Sequence, residues 1–252
     1  MPNSDTRAQF LDLAVAFALL TRLPLPHLPD SGFANQARAG WAFGLVGAVV
    51  GLIAGVVGLF AMWLGLPDAA AAGLALMAMI VVSGAMHEDG LADTVDGLWG
   101  GWTVERRLEI MKDSAIGTYG VLALIMSLGL RWGAIAELLP HGIGPLIAAG
   151  AVSRGLLPAV MAALPHARRD GLARSVGAPD RRVAIAAAAV GGGLALVVAG
   201  VSAVLLGVLA AIGVALVARI ARAKIGGQTG DILGACQQAA EITVLLGLVA
   251  LK

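Results

Sequence analysis

Long uncharged stretches of apolar residues dominate this chain and predict helices that cross a membrane. No charged side chain occurs within residues 39–66, 69–86 or 183–218. Because one crossing needs roughly 20 apolar residues, the first two stretches can each cross once and the third nearly twice. The pattern therefore predicts an all-α, polytopic transmembrane bundle.

Proline and glycine divide the pattern into seven or eight helices of a single integral membrane domain, residues 1–252. The first predicted segment is short, so it either crosses the membrane or lies in its interface. The predicted helices lie near 8–25, 39–65, 69–87, 116–139, 143–164, 183–199, 201–221 and 237–251.

Composition agrees with a lipid environment and narrows the classes of function. The chain is 59% hydrophobic and only 13% charged, whereas soluble domains are about 25% charged. The net charge of +1, with 4% aromatic residues, gives no basic, aromatic-rich surface for nucleic acid. The single Cys236 excludes an intrachain disulfide framework and a multi-cysteine zinc site, and is expected to be a small buried residue.

Lysine and arginine occur in alternate connections between the predicted helices. The turns near Pro67, Pro140 and Gly200 contain neither residue. The positive-inside rule then places the basic connections in the cytoplasm. We expect function there, above all in a catalytic loop at about 87–115. The basic connections are 26–38, 88–115, 165–182 and 222–236.

Seven of the sixteen acidic residues fall between positions 88 and 113. If the helix from Ala69 continues through this region, Asp89, Asp93 and Asp96 share one helix face. Glu109 and Asp113 are again four residues apart. Clustered carboxylates repel one another, and oxygen ligands suit Mg²⁺, Mn²⁺ or Ca²⁺. The cluster therefore predicts a divalent-metal site that takes a phosphorylated substrate.

A solvated acidic loop is the alternative interpretation of this cluster. The small neighbours Gly90, Ala92 and Gly97 argue against it, because they leave room for a bulky ligand beside the acids. His87 is either a proton carrier or an interfacial residue.

Two further polar features interrupt apolar sequence. The stretch 224–231 is rich in glycine, so its backbone N–H groups could face an anion beside Lys224. Its alternative is a plain glycine-rich turn. Arg154 lies inside a predicted span and should face a phosphate or an acid. The arginines of 168–182 are interpreted as setting orientation or binding anionic lipid headgroups.

These motifs carry a resemblance to a known family. The stretches are His87–Gly97 (HEDGLADTVDG), Arg107–Thr118 (RLEIMKDSAIGT), Thr21–Pro24 (TRLP), Ser153–Gly155 (SRG) and Gly226–Asp231 (GGQTGD). Together they resemble the cobalamin synthase family, also called adenosylcobinamide-GDP ribazoletransferase. The resemblance runs nearly from end to end.

The resemblance implies an inner-membrane enzyme of late cobalamin biosynthesis. Such an enzyme joins adenosylcobinamide-GDP to α-ribazole or its 5′-phosphate, releases GMP and depends on Mg²⁺. Association with itself and with other enzymes of the pathway is also expected, and nucleic acid is not. The alternatives are an enzyme like the CDP-alcohol phosphotransferases, an ion-coupled transporter and a membrane scaffold.

We assign residues to this chemistry as hypotheses. The metal ligands are Asp89, Asp93, Asp96, Glu109 and Asp113. The catalytic residues are Asp89, Asp93, Asp96, Asp113 and His87, since an acid not bound to metal can accept the hydroxyl proton. The substrate-binding residues are Arg154, Lys224, Gly227, Gln228, Thr229, Asp231 and Ser114.

Overall fold

The computed structural model describes residues 4–252, which form helices joined by short connections. Six helical stretches are long and apolar enough to cross a membrane, and a seventh results if the bent pair Asp68–Ser83 and Met86–Gly100 counts as one. The prediction of an all-α polytopic bundle is confirmed. The six stretches are Gln36–Trp63, Thr118–His141, Gly144–Ala163, Arg181–Ala199, Ser202–Ile225 and Gly230–Ala250.

Twelve α-helices and three 3₁₀ segments lie in the described part of the chain. The helices are α1 (Ser4–Leu20), α2 (Phe43–Trp63), α3 (Asp68–Ser83), α4 (Met86–Gly100), α5 (Val104–Ile110), α6 (Thr118–Leu138), α7 (Gly144–Gly155), α8 (Leu157–Ala163), α9 (Leu172–Val176), α10 (Arg181–Ala199), α11 (Ser202–Ile225) and α12 (Gly230–Ala250). The 3₁₀ segments are Asp30–Phe33, Gln36–Ala42 and Leu139–His141.

The first helix lies closer to the amino terminus than predicted. It ends at Leu20 rather than near residue 25, and its apolar part, Ala8–Leu20, is too short to count among the spans. The Thr21 hydroxyl donates to the Phe17 carbonyl and accepts from the Leu23 N–H. These local bonds turn the chain before Pro24, which cannot donate to a continuing helix.

A sharp break separates α3 from α4, so the helix predicted near 69–87 ends at Ser83 and does not continue through Asp96. The two helix axes differ by 85°. Gly84 (φ +66°) and Ala85 (φ +57°) are both left-handed, a conformation that cannot continue a right-handed helix. The region expected to be a catalytic loop therefore consists largely of α4 and α5.

The last helix begins at Gly230, seven residues before the predicted start at 237. The first half of this helix has low hydropathy because it contains the polar residues Asp231, Gln237, Gln238 and Glu241. Of these, Gln237, Gln238 and Glu241 are buried within the protein, so they do not meet lipid. The predicted helix 143–164 is likewise divided into α7 and α8 just before Pro158, because proline cannot complete the helical hydrogen bonds.

Small residues let the central helices approach closely. A Cβ added to Gly47 of α2 would collide with the carbonyl of Gly150 in α7, and one added to Gly150 would collide with the carbonyl of Gly47. Such contacts give dispersion attraction where no hydrophobic force acts between helices in lipid. This close packing fixes the position of α7, which carries Arg154, against α2.

A charge-balanced cluster of buried side chains, here called the buried ionic cluster, joins four helices. Arg131 of α6 contacts Glu88 of α4 at 2.6 Å and Glu241 of α12 at 2.7 Å. Arg154 of α7 lies 3.3 Å from Glu241. Gln238 donates to Glu88 at 3.1 Å. Buried charges are tolerated when they are paired and hydrogen-bonded, so the cluster fixes the first turn of α4 against α6, α7 and α12.

Candidate active site

Three segments meet at one end of the bundle, here called the basic end. Lys112 Nζ lies 2.7 Å from Asp170 Oδ2, and Arg107 donates to the Lys224 carbonyl at 2.8 Å. His166 and Gln228 form a parallel β-bridge. Segments 101–117, 164–180 and 226–229 are therefore close in space although they are far apart in sequence.

A polar cavity of about 160 Å³ opens where the first turn of α4 meets the segments 166–174 and 228–231. It contains acidic, basic and amide side chains together. Its polar lining residues are Asp89, His166, Arg168, Asp170, Arg174, Gln228, Thr229 and Asp231. The predicted glycine-rich substrate loop and one predicted metal ligand are thus brought to the same place.

The loop before α12 is held by pairing with the segment that follows α8. Gln228 N–H donates to the Pro165 carbonyl at 2.8 Å, and Ala167 N–H donates to the Gln228 carbonyl at 2.9 Å. Gln228 Nε2 lies 3.0 Å from His166 Nδ1. A Cβ on Gly227 would collide with the Pro165 carbonyl. Gly227 and Gln228 therefore shape the cavity wall.

Thr229 and Asp231 form the start of α12 beside a cation. The Thr229 hydroxyl accepts the Ile232 N–H, which caps the helix, and donates to Asp231 at 3.1 Å. Arg168 Nη2 lies 2.9 Å from Asp231 Oδ2. Arg168 lines the cavity, although its sequence context indicates only an orientation or lipid-binding residue.

Asp89 and Asp93 are the two α4 carboxylates that form neither an ion pair nor a hydrogen bond, to side chain or backbone, among the described residues. Asp89 is exposed and Asp93 is half-buried. The neighbours that act electrostatically on Asp93 include Asp89, Asp231 and Arg168. Two carboxyl groups without a described partner therefore lie close together near the cavity.

Asp96 is engaged elsewhere, although it shares α4 with these two acids. Its buried carboxylate accepts the backbone N–H groups of Gly117 at 2.7 Å and Gly120 at 2.9 Å. A Cβ at either glycine would collide with Asp96 or come too close to it. Asp96 thus fixes the start of α6 and does not line the cavity.

The second predicted acidic pair also lies away from the cavity lining. Glu109 is exposed and pairs with Arg106 at 3.1 Å. Asp113 accepts the Ala115 N–H at 3.1 Å, and Ser114 is exposed beside it. Among residues 4–252, no group of three or more His, Cys, Asp or Glu side chains is arranged to hold a metal ion by itself.

Three other predicted site residues are placed differently. His87 is buried and faces a separate apolar cavity of about 60 Å³, where its ring nitrogens have no partner among the described residues. Arg154 belongs to the buried ionic cluster. Lys224 donates to the Leu98 carbonyl at 2.7 Å and lies over the Trp99 ring, so it binds the carboxyl end of α4.

The expectation that small residues leave room for a ligand beside the acids is wrong for both glycines. A Cβ on Gly90 would lie 2.9 Å from the Asp231 carbonyl oxygen. A Cβ on Gly97 would collide with Met111. Both glycines serve close approach of α4 to its neighbours, which brings Asp89 and Asp231 together.

Local surroundings also shift the pKa of two groups that line the cavity, Asp170 and His166. The Lys112 ammonium, which donates to Asp170, lowers the pKa of that carboxyl below its ordinary value. Partial burial, with a smaller effect from Arg174, lowers the pKa of His166. At neutral pH the cavity wall therefore carries ionised Asp170 and neutral His166, whose Nδ1 can accept from Gln228.

The fold and site define an integral membrane protein with a charged cavity at one end of its helical bundle. Sequence comparison identifies the family. Residues 12–249 match the sequence model described as cobalamin-5-phosphate synthase, and the chain belongs to this family.

Curated relatives agree along almost their whole length. The adenosylcobinamide-GDP ribazoletransferase of Bradyrhizobium diazoefficiens is 44% identical over 256 residues, covering 100% of this chain and 98% of the relative. The protein of that name from Mesorhizobium japonicum is 43% identical, with 93% and 91% covered. That from Sinorhizobium medicae is 42% identical, with 98% and 99% covered. No solved structure gives a significant match.

Proposed function

We propose that this chain is a membrane transferase that joins adenosylcobinamide-GDP to α-ribazole or its 5′-phosphate and releases GMP. The observation that carries the proposal is the meeting of Asp89 of α4 with residues 228–231 and Arg168 at one polar cavity. Family membership supplies the identity of the reaction, and the cavity supplies charged groups of the kind that a diphosphate substrate needs.

The basic groups of the cavity would bind the diphosphate. Arg168 and Arg174 both line it, and guanidinium groups bind phosphate oxygens well. The cavity also adjoins the amino terminus of α12, where unsatisfied N–H groups and the helix dipole favour an anion. A phosphate there would compete with Asp231 for Arg168.

Asp89 and Asp93 fit a magnesium ion that substrate completes. Mg²⁺ is commonly bound by one or two carboxylates together with substrate phosphates, and these two carboxylates, which lie one helical turn apart, have no described side-chain partner. Bound Mg²⁺ would neutralise charge on the diphosphate as the leaving group departs. Asp89 or Asp93 would accept the proton of the attacking ribazole hydroxyl when not engaged by the ion.

The proposed location is the inner membrane, with the cavity facing the cytoplasm. The segments that carry Arg106, Arg107, Lys112 and the 168–182 arginines meet at the cavity end of the bundle. The positive-inside rule assigns such loops to the cytoplasm. This orientation would bring soluble substrates and Mg²⁺ to the acids without a path through the bilayer.

The test uses purified full-length protein in lipid nanodiscs with adenosylcobinamide-GDP, α-ribazole and a magnesium titration. Asp93→Asn and Asp89→Asn should each lower GMP release by at least about 100-fold, a loss typical for removing a group that acts in catalysis. Glu105→Gln is the matched control, because Glu105 is an exposed acid in the same stretch and should keep wild-type activity.

A binding readout separates the metal assignment from the reaction. Electron paramagnetic resonance of added Mn²⁺, with GDP present as the diphosphate probe, should show bound ion in wild type and in Glu105→Gln but not in Asp93→Asn. Wild-type GMP release by folded Asp93→Asn would refute the site. If Asp93→Asn is inactive but binds Mn²⁺ normally, Asp93 is not a metal ligand, while its place in the active site stands.

A further inference from the structure

Two apolar hollows adjoin to form one cleft between α11 and the neighbouring helices. One hollow holds about 700 Å³ and lies between α8 and α11. The other holds about 420 Å³ and lies among α7, α10 and α11. Leu156 and Ala211 line both hollows. Helix α11 therefore stands away from α7 and α8 along a continuous apolar surface.

The cleft is as long as the hydrocarbon part of a bilayer is thick. Its lining on α11 runs from Ala203 to Ala223, which corresponds to about 30 Å of helix at 1.5 Å per residue. The hydrocarbon core of a bilayer is also about 30 Å thick. Water is not a suitable occupant of such an apolar space in a membrane, whereas acyl chains are.

Two cations lie at one end of this otherwise uncharged cleft. Arg219 and Arg222 line it one helical turn apart, and both are exposed. Neither forms an ion pair with any acidic side chain among the described residues. Arginine near a helix end extends its head group toward the membrane surface while its stem stays in lipid. Their charges therefore reach the level of lipid phosphates.

Another cleft gives an internal comparison. A hollow of about 300 Å³ between α4, α6, α11 and α12 has no charged residue in its lining. It offers acyl chains the same apolar surface but no partner for an anionic headgroup. Of these two clefts, only the one that carries Arg219 and Arg222 is therefore expected to bind an anionic lipid selectively.

We propose that the cleft binds an anionic phospholipid, with its headgroup on Arg219 and Arg222 and its acyl chains between α8 and α11. The site is distinct from the charged cavity and does not depend on the proposed reaction. It adjoins the cavity wall, because Leu164 lines the cleft and the next residue, Pro165, accepts the hydrogen bond from Gln228. A bound lipid would hold α8 and α11 at the separation that this pairing needs.

The test measures lipids that remain on purified full-length protein by native mass spectrometry, after exchange into equal amounts of phosphatidylglycerol and phosphatidylethanolamine. Wild type should retain phosphatidylglycerol selectively. Arg219→Gln with Arg222→Gln should weaken its binding about 30-fold, as expected for two arginines that each contribute ~1 kcal/mol near an anionic lipid. The control is Arg181→Gln with Arg182→Gln. The sequence allowed these exposed arginines to bind anionic headgroups, but they lie outside the cleft lining, so their loss should leave selective retention in the cleft unchanged.

A second variant tests the acyl part while keeping both arginines. Ala211→Trp fills the cleft where its two hollows adjoin and should also abolish selective retention; the thermal unfolding midpoint checks that it is folded. The proposal would be overturned if the Arg181 and Arg182 control lost as much phosphatidylglycerol as the Arg219 and Arg222 variant. Equal retention of both lipids by wild type would also overturn it. It would also be overturned if wild type carried a second copy of the chain instead of lipid and Ala211→Trp released that copy.

Discussion

The buried ionic cluster offers the sharpest test of how the fold supports the candidate site. Replacing Arg131 with methionine keeps most of the side-chain volume but removes the cation between Glu88 and Glu241. Both contacts are short, at 2.6 and 2.7 Å, and Arg131 is 2% exposed. The change leaves two buried carboxylates with only Arg154 as a countercharge.

The expected loss of unfolding free energy follows from this charge imbalance. The cluster contains two arginines and two glutamates, so its net charge changes from zero to −1. Removing one partner of a buried ion pair costs about 3–5 kcal/mol. That is a large part of a total stability of about 5–15 kcal/mol. The first turn of α4, which carries Asp89, should be released, and activity should fall with stability.

The assay is equilibrium unfolding in mixed micelles by a denaturing detergent, followed by tryptophan fluorescence. Arg131→Met combined with Glu88→Met restores charge balance and should recover about 1–3 kcal/mol of the loss, as for coupled neighbouring residues. Arg106→Met is the matched control. Its ion pair with Glu109 is exposed, so its effect should stay within about 0.5 kcal/mol.

Two results would refute this reasoning. One is an unfolding free energy for Arg131→Met as close to wild type as that of Arg106→Met. The other is a double variant that is less stable than Arg131→Met, because the glutamate would then be stabilising without its cation.

Other expected outcomes follow from the cavity and its supports. Asp96→Asn should lower the free energy of unfolding by about 1–2 kcal/mol, because the start of α6 loses a charged hydrogen-bond acceptor. The Mg²⁺ concentration that gives half of the remaining activity should not change. A large change in that concentration would show that Asp96 is a metal ligand after all. Gly227→Ala should abolish GMP release by breaking the loop pairing, whereas Gly129→Ala in α6, whose added Cβ would meet open space away from the cavity, should be tolerated. Lys112→Gln should raise the pKa of Asp170 toward its ordinary value in an NMR titration. Since this pKa is lowered in the folded protein, the contact stabilises at neutral pH and is lost as pH falls through the folded value; an unchanged titration would exclude the contact.

Hydropathy determined the architecture, because lipid imposes a requirement that is local in sequence. Each span must satisfy its own backbone and present apolar side chains, so segments 39–65, 116–139 and 183–199 each correspond to one spanning helix. The motifs likewise identified the family, the acidic stretch and Gly226–Asp231. The same pattern placed the start of α12 too late, since polar residues that face a protein interior resemble a loop.

Only the tertiary structure decided which charged residues act together. Helical spacing grouped Asp96 with Asp89 and Asp93, yet Asp96 binds the backbone at the start of α6. Arg154 was expected at phosphate and is paired with Glu241, whereas Arg168 was interpreted as an orientation signal and lies at the cavity. The physical reason is that a charge is satisfied by whichever partner is nearest in space. The 85° break at Gly84 and Ala85 turns α4 away from the direction of α3. The bridge between His166 and Gln228 then joins two segments that are far apart in sequence.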